Sequence, residues 1–161
     1  MIRAAAVAAA LTLVAAGCGQ GHARAFCGLV DTANGFDPVE AVQGISCPGA
    51  EAAVTAIERG RGGWDCSRAM HAAYELDCRL GGRELQVLET VPATATNRGG
   101  IVTLAGWTFR IAGDRLEARS TRGRTLDLGV PPFCVTAAPR QALVALGLRA
   151  TTPDGGCFRA R

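Results

Sequence analysis

Tyr74-Glu75-Leu76-Asp77-Cys78-Arg79-Leu80-Gly81-Gly82-Arg83-Glu84-Leu85-Gln86-Val87-Leu88 is the stretch that decides the fold class of this chain. Leu76, Cys78 and Leu80 alternate with Glu75, Asp77 and Arg79, the period of a strand with one buried face. Gly81-Gly82 then serves as a two-residue hairpin loop. Closing it sets Cys78 opposite Leu85, Leu76 opposite Val87 and Arg79 opposite Glu84. Apolar residues meet on one face and opposite charges on the other, so pattern and register agree.

Upstream, the spacing predicts a helix. Ser46 or Cys47 can cap it, Pro48 fits its first turn and Gly60 stops it after Arg59. Ala50, Ala53, Val54 and Ile57 form one apolar stripe, while Glu51, Thr55 and Glu58 face away. Trp64 and Cys66 share a face if that stretch is extended. Ile45-Ser46-Cys47-x-x-Ala50, then Trp64-x-Cys66, then Cys78-Arg79-x-Gly81-Gly82 together resemble a small cysteine-bearing domain of exported actinobacterial proteins, over about residues 42–90. The resemblance implies an extracytoplasmic address and a small bridged fold. That domain carries no assigned activity, and Cys27 lies outside its pattern.

Downstream, the hairpin device recurs. Ile101 to Ala105 reads as a strand, and Trp107, Phe109 and Ile111 alternate with Thr108 and Arg110. Gly113-Asp114 turns the chain, bringing back Leu116, Ala118 and Ser120 and placing Arg110 across from Glu117. Taking Arg122-Gly123-Arg124 as the next loop predicts that Ala118 meets Leu128 and Arg119 meets Asp127. A short helix is expected from Pro139, burying Ala142, Leu143 and Leu146 and ending at Gly147. The fold class is therefore α+β: an antiparallel hairpin and meander sheet with short helices on one face, stapled by disulfides.

The chain divides on the same reading. Residues 91–100, Val91-Pro92-Ala93-Thr94-Ala95-Thr96-Asn97-Arg98-Gly99-Gly100, have no periodicity and read as a linker or loop. They separate a helix-plus-hairpin half, 26–90, from a meander-plus-helix half, 101–161. Each half places a cysteine before a helix and another further on, as a remote duplication would.

The N-terminus reads as an export signal. Met1-Ile2-Arg3 is basic, and the 13 residues Ala4 to Ala16 are apolar or small. That run falls short of the roughly 20 residues a membrane-spanning helix needs. Val14-Ala15-Ala16-Gly17-Cys18 resembles a bacterial lipobox, which implies a signal over residues 1–17 and acylation of Cys18. The alternative is cleavage after Ala23-Arg24-Ala25, a signal over residues 1–25 and a mature start at Phe26. Of seven cysteines, either route removes Cys18 and leaves six: Cys27, Cys47, Cys66, Cys78, Cys134 and Cys157. An even set in an exported chain reads as a disulfide framework. Cys134–Cys157 is predicted because both belong to the C-terminal unit. Cys47–Cys78 is predicted because Cys78 points toward the helix-covered face, which leaves Cys27 and Cys66.

Chemistry-bearing constellations are few. All 17 basic residues are Arg, and removing Arg3 and Arg24 leaves 15 against 14 acids, unlike the strongly basic balance of a nucleic-acid-binding domain. Six Arg against three acids between Arg98 and Leu128 is the one basic concentration. The register expected above matches Arg110 and Arg119 with acids and leaves, apart from Arg98 at the start of the segment, Arg115, Arg122 and Arg124 near two turns, too few for a strong polyanion site. His71, with Ser67 and Asp65 nearby, lacks the G-x-S-x-G turn of a nucleophile site. Cys66, His71 and Cys78 lack the close spacing of zinc ligands. Arg59-Gly60-Arg61-Gly62-Gly63 follows a helix instead of opening one, so it is a turn and not a phosphate cradle. Trp64 and Trp107 read as core.

These observations imply a non-catalytic binding or structural module of the envelope. It would be held to the membrane by a lipid anchor and face an envelope protein or wall component, with no cofactor, metal or nucleic acid. The alternatives are a secreted protease-inhibitor-like protein using the Pro131-Pro132-Phe133-Cys134 loop, and an enzyme of unrecognised type.

Overall fold

The computed structural model describes residues 24–33, 35–68 and 74–160. Among them, a first antiparallel sheet runs in the order β1-β2-β5-β4-β3. Its strands are β1 (Ala25–Thr32), β2 (Gly35–Gln43), β3 (Asp65–Arg68), β4 (Tyr74–Leu80) and β5 (Arg83–Leu88). The expected hairpin is its centre: Cys78 faces Leu85, Leu76 faces Val87 and Arg79 faces Glu84. Helix α1 (Cys47–Glu58) starts where expected, with Ser46 as N-cap accepting from the Gly49 N–H at 3.3 Å. It lies against β1 and β2. Ala50, Ala53 and Val54 pack there on Val39, Ala41, Cys78, Leu85 and Val87. Val39, Ala50, Cys78 and Leu85 are fully buried, and a Val or Leu so placed contributes about 1.5–3 kcal/mol.

The first two strands are new relative to the sequence reading. Gly28 and Pro38 break their alternation, and a bulge between Phe26 and Gly28 shifts the register against β2. A period-two pattern is therefore not visible there.

The second sheet runs β10-β9-β8-β7-β6. It comprises β6 (Thr96–Arg98), β7 (Ile101–Leu104), β8 (Trp107–Ala112), β9 (Arg115–Ser120) and β10 (Thr125–Asp127). The 91–100 segment is thus not all linker: β6 pairs with β7, and Val91, Ala93 and Ala95 pack on the core beneath. That core joins Val102, Leu104, Trp107, Phe109, Leu116 and Ala118 to Leu143 of α2 (Arg140–Ala145). Phe133 and Phe158 close it from a third small sheet, β11 (Phe133–Cys134), β13 (Cys157–Arg159) and β12 (Arg149–Ala150).

One register is corrected. Arg110 does face Glu117, but Ala118 meets Leu126 and Arg119 meets Thr125, two residues from the expected partners Leu128 and Asp127. The loop has three residues, Thr121 to Gly123, closed by the Ser120 N–H donating to the Arg124 carbonyl at 2.8 Å. Gly123 has φ +86°, and this turn type needs such a residue at its last loop position, not its middle. The shift of two keeps every side chain on its expected face.

The two sheets meet along β1. Leu29 belongs to the second core although its strand belongs to the first sheet. The Trp107 indole N–H donates to the Leu29 carbonyl at 2.9 Å, and the Phe36 ring stands edge-on to Trp107 at 4.8 Å. Gly28 and Gly35, at φ +110° and +118°, bring backbone against backbone here: a Cβ on either would lie 3.2 Å from the Ala105 oxygen or 2.5 Å from the Thr136 oxygen.

Candidate functional site: the cleft along the sheet seam

Six cysteines form three disulfides: Cys27–Cys47, Cys66–Cys78 and Cys134–Cys157. The last joins β11 to β13, where the two residues are direct cross-strand partners. The expected Cys47–Cys78 bridge is not formed. Cys78 does face α1, but Cys66 stands directly opposite it on β3, while Cys47 opens α1 over β1 and meets Cys27. Cys47 thus bonds backward, whereas Cys134, also ahead of a helix, bonds forward, so the bridges do not repeat between halves. Three bridges are the mark of an oxidising, extracytoplasmic compartment. No helix of the described residues is long and apolar enough to cross a membrane.

Beside the seam lies a cleft of about 470 Å³. Leu29, Val30 and Asp31 of β1 and Glu51 and Thr55 of α1 form one wall. Trp107, Ser120, Thr121, Arg122 and Arg124 form the other. Two ion pairs cross it. Arg122 Nη1 lies 2.5 Å from Glu51 Oε2, and Arg124 Nη2 lies 2.5 Å from Asp31 Oδ2. The acids lie low, with side chains 23% and 19% exposed, and the arginines stand at the rim, 71% and 61% exposed. The turn is held in place by its backbone: the Thr121 N–H donates to the Gly106 carbonyl at 3.0 Å, and the Arg124 N–H to Ser120 Oγ at 3.0 Å.

The chain matches no family model, no curated protein and no solved structure.

The cleft replaces the expected picture of the basic meander. Arg110 pairs with Glu117 as predicted, at 2.7 Å. Asp127, however, is taken by Arg115 through Nε at 2.8 Å, not by Arg119. That hydrogen bond, reinforced by the Gly129 N–H, holds the Asp127 carboxyl below its ordinary range. The three arginines expected to lack partners, Arg115, Arg122 and Arg124, are all paired. Two of their partners, Glu51 and Asp31, come from the other half of the chain. No sequence signal marks these contacts, since each is set by the packing of the two sheets.

The remaining candidates are placed as follows. Cys18 and His71 lie outside the described residues. Asp65 and Ser67 are exposed on β3. Cys66 and Cys78 have spent their sulfurs on each other, so neither is a thiolate for zinc. Among the described residues no group of three His, Cys, Asp or Glu could hold a metal ion. Trp107 is buried, and Trp64 is half-buried with the Arg83 guanidinium 5.4 Å from its ring centroid. In the Pro131–Cys134 loop, Phe133 is buried in the second core while Val130, Pro131 and Pro132 are exposed.

Proposed function

We propose that this chain is an exported, lipid-anchored, non-catalytic binding module that engages an envelope protein or wall component through the seam cleft. The cleft carries the reading: it is walled by paired carboxylates and guanidiniums and by hydroxyls, drawn from both halves of the chain. The Cys27–Cys47 bridge ties together β1 and α1, the two elements of one wall. The lipobox-like Val14-Ala15-Ala16-Gly17-Cys18 supports the anchor.

Site-specific photocrosslinking in intact cells tests the reading. A photoreactive residue at Thr121 is expected to give a discrete envelope adduct, and one at exposed Val144, on α2, none. Equal labelling from both positions, or none from Thr121, contradicts it.

A second reading, a blocker of secreted proteases, rests on the exposed Val130-Pro131-Pro132 stretch. That stretch is fastened on one side by buried Phe133 and the Cys134–Cys157 bridge. Tight inhibition of any member of a panel of secreted proteases, abolished by Pro131→Ala, would put this reading ahead.

A further inference from the structure

We infer that the seam cleft selects a neutral, polyhydroxylated ligand, a short glycan segment; the inference rests on the reading of this chain as a binding module. Its volume, about 470 Å³, falls among small-ligand sites, which span about 300–1,000 Å³. Charge decides the class. Arg122 and Arg124 face Glu51 and Asp31, so the walls cancel. An anion would have to evict a carboxylate already seated on each guanidinium, and a cation would have to evict a guanidinium. A diol evicts neither.

The hydrogen-bonding inventory agrees. Arg124 meets Asp31 through one Nη2 and one Oδ2. Among the described residues, the other N–H groups of its fork and Asp31 Oδ1 have no side-chain hydrogen-bond partner and can serve a ligand. One hydroxyl of a vicinal pair can donate to the carboxylate while its neighbour accepts from the guanidinium, so a single diol bridges the two planar groups. Thr121 adds a hydroxyl that makes no side-chain hydrogen bond among the described residues, on a backbone fixed to Gly106. Pro48, Ala52 and Ala105 supply small apolar surface for the C–H faces of a sugar. Trp107 is 6% exposed and packed on Phe36, so stacking contributes little. Binding then rests on hydrogen bonds exchanged with water, each of which leaves only a small net gain. The expected affinity is accordingly weak, on the order of 0.1–1 mM.

The test is a protein-observed NMR titration of the exported, disulfide-bonded chain in detergent with chitotetraose, cellotetraose and maltotetraose. At least one should give saturable shifts at Asp31, Glu51, Thr121 and Arg124, unchanged between low and physiological ionic strength. Asp31→Asn and Arg124→Gln should each weaken that binding about tenfold, equivalent to about 1.4 kcal/mol. Thr121→Val, which leaves both ion pairs in place, should weaken it less and serves if the charge variants misfold. No shift with any of the three sugars at millimolar concentration overturns the inference, as does binding that all three variants leave intact. Binding of a wall stem peptide or of polyphosphate in place of the sugars also overturns it, yet leaves the binding-module reading standing. That reading falls separately, if the Thr121 crosslink captures nothing.

Discussion

Asp37 sits on β2 with its carboxyl partly withdrawn from water, and Glu58 and Glu75 add like charge. Burial first, then these neighbours, raise its pKa above the ordinary 3.8, against the opposing hydrogen bond with Thr32. The folded state therefore holds this proton more tightly than the unfolded chain. The stability linked to Asp37 is greatest below the unfolded value and is lost as pH rises through the folded one. Asp37→Asn should thus raise the urea midpoint at neutral pH, with the gain fading below about pH 4. An equal gain at both pH values would show that charge is not the cause. Gly35 gives a steric counterpart. Gly35→Ala must place a methyl against the Thr136 backbone oxygen at φ +118°, and should cost about 2–3 kcal/mol. Gly60→Ala, also at positive φ but in open space, should cost only about 1 kcal/mol. Thermal melts of the two variants compare these directly. Neither residue announced itself in the sequence. Asp37 lies in a strand that no local pattern marked, and Gly35 meets the Thr136 backbone only once the chain is folded.

Elements were legible wherever local rules sufficed. Gly81-Gly82 with alternating flanks fixed the central hairpin, and Ser46, Pro48 and Gly60 marked the ends of α1. Elements went unread where the local pattern was broken for a long-range reason. Gly28 interrupts β1 because the β7–β8 turn approaches it, and β6 is only three residues of exposed, polar strand. The bridges divide in the same way. Cys134–Cys157 stays within one compact unit, whereas choosing Cys27 for Cys47 requires knowing that β1 exists. Bridge Cys27–Cys47 ties the edge strand β1 to the helix that covers it, across 20 residues of sequence. Replacing both cysteines by Ala should cost about 2–4 kcal/mol in denaturant melts, with loss of protection beginning in β1. A loss near zero would mean that the edge strand is held by the seam alone.

At the scale of the whole molecule, the seam makes one body of what composition divides into two. Leu29 and Phe36 carry the first sheet into the second core, and the cleft and its ion pairs lie along that join. In the proposed anchored form, the residues from Cys18 to the start of β1 at Ala25 span at most about 3.3–3.6 Å each. The start of β1 then stays within about 25 Å of the membrane surface, which keeps the domain near other envelope components. The central claim, an exported chain stapled by these three bridges and anchored through Cys18, is tested most directly by non-reducing peptide mapping with mass spectrometry on protein from the native envelope. The account predicts linked peptides Cys27–Cys47, Cys66–Cys78 and Cys134–Cys157, and an N-terminal peptide that begins at an acylated Cys18. A free thiol at any of those six positions, or a mature chain that begins at Phe26, would contradict it.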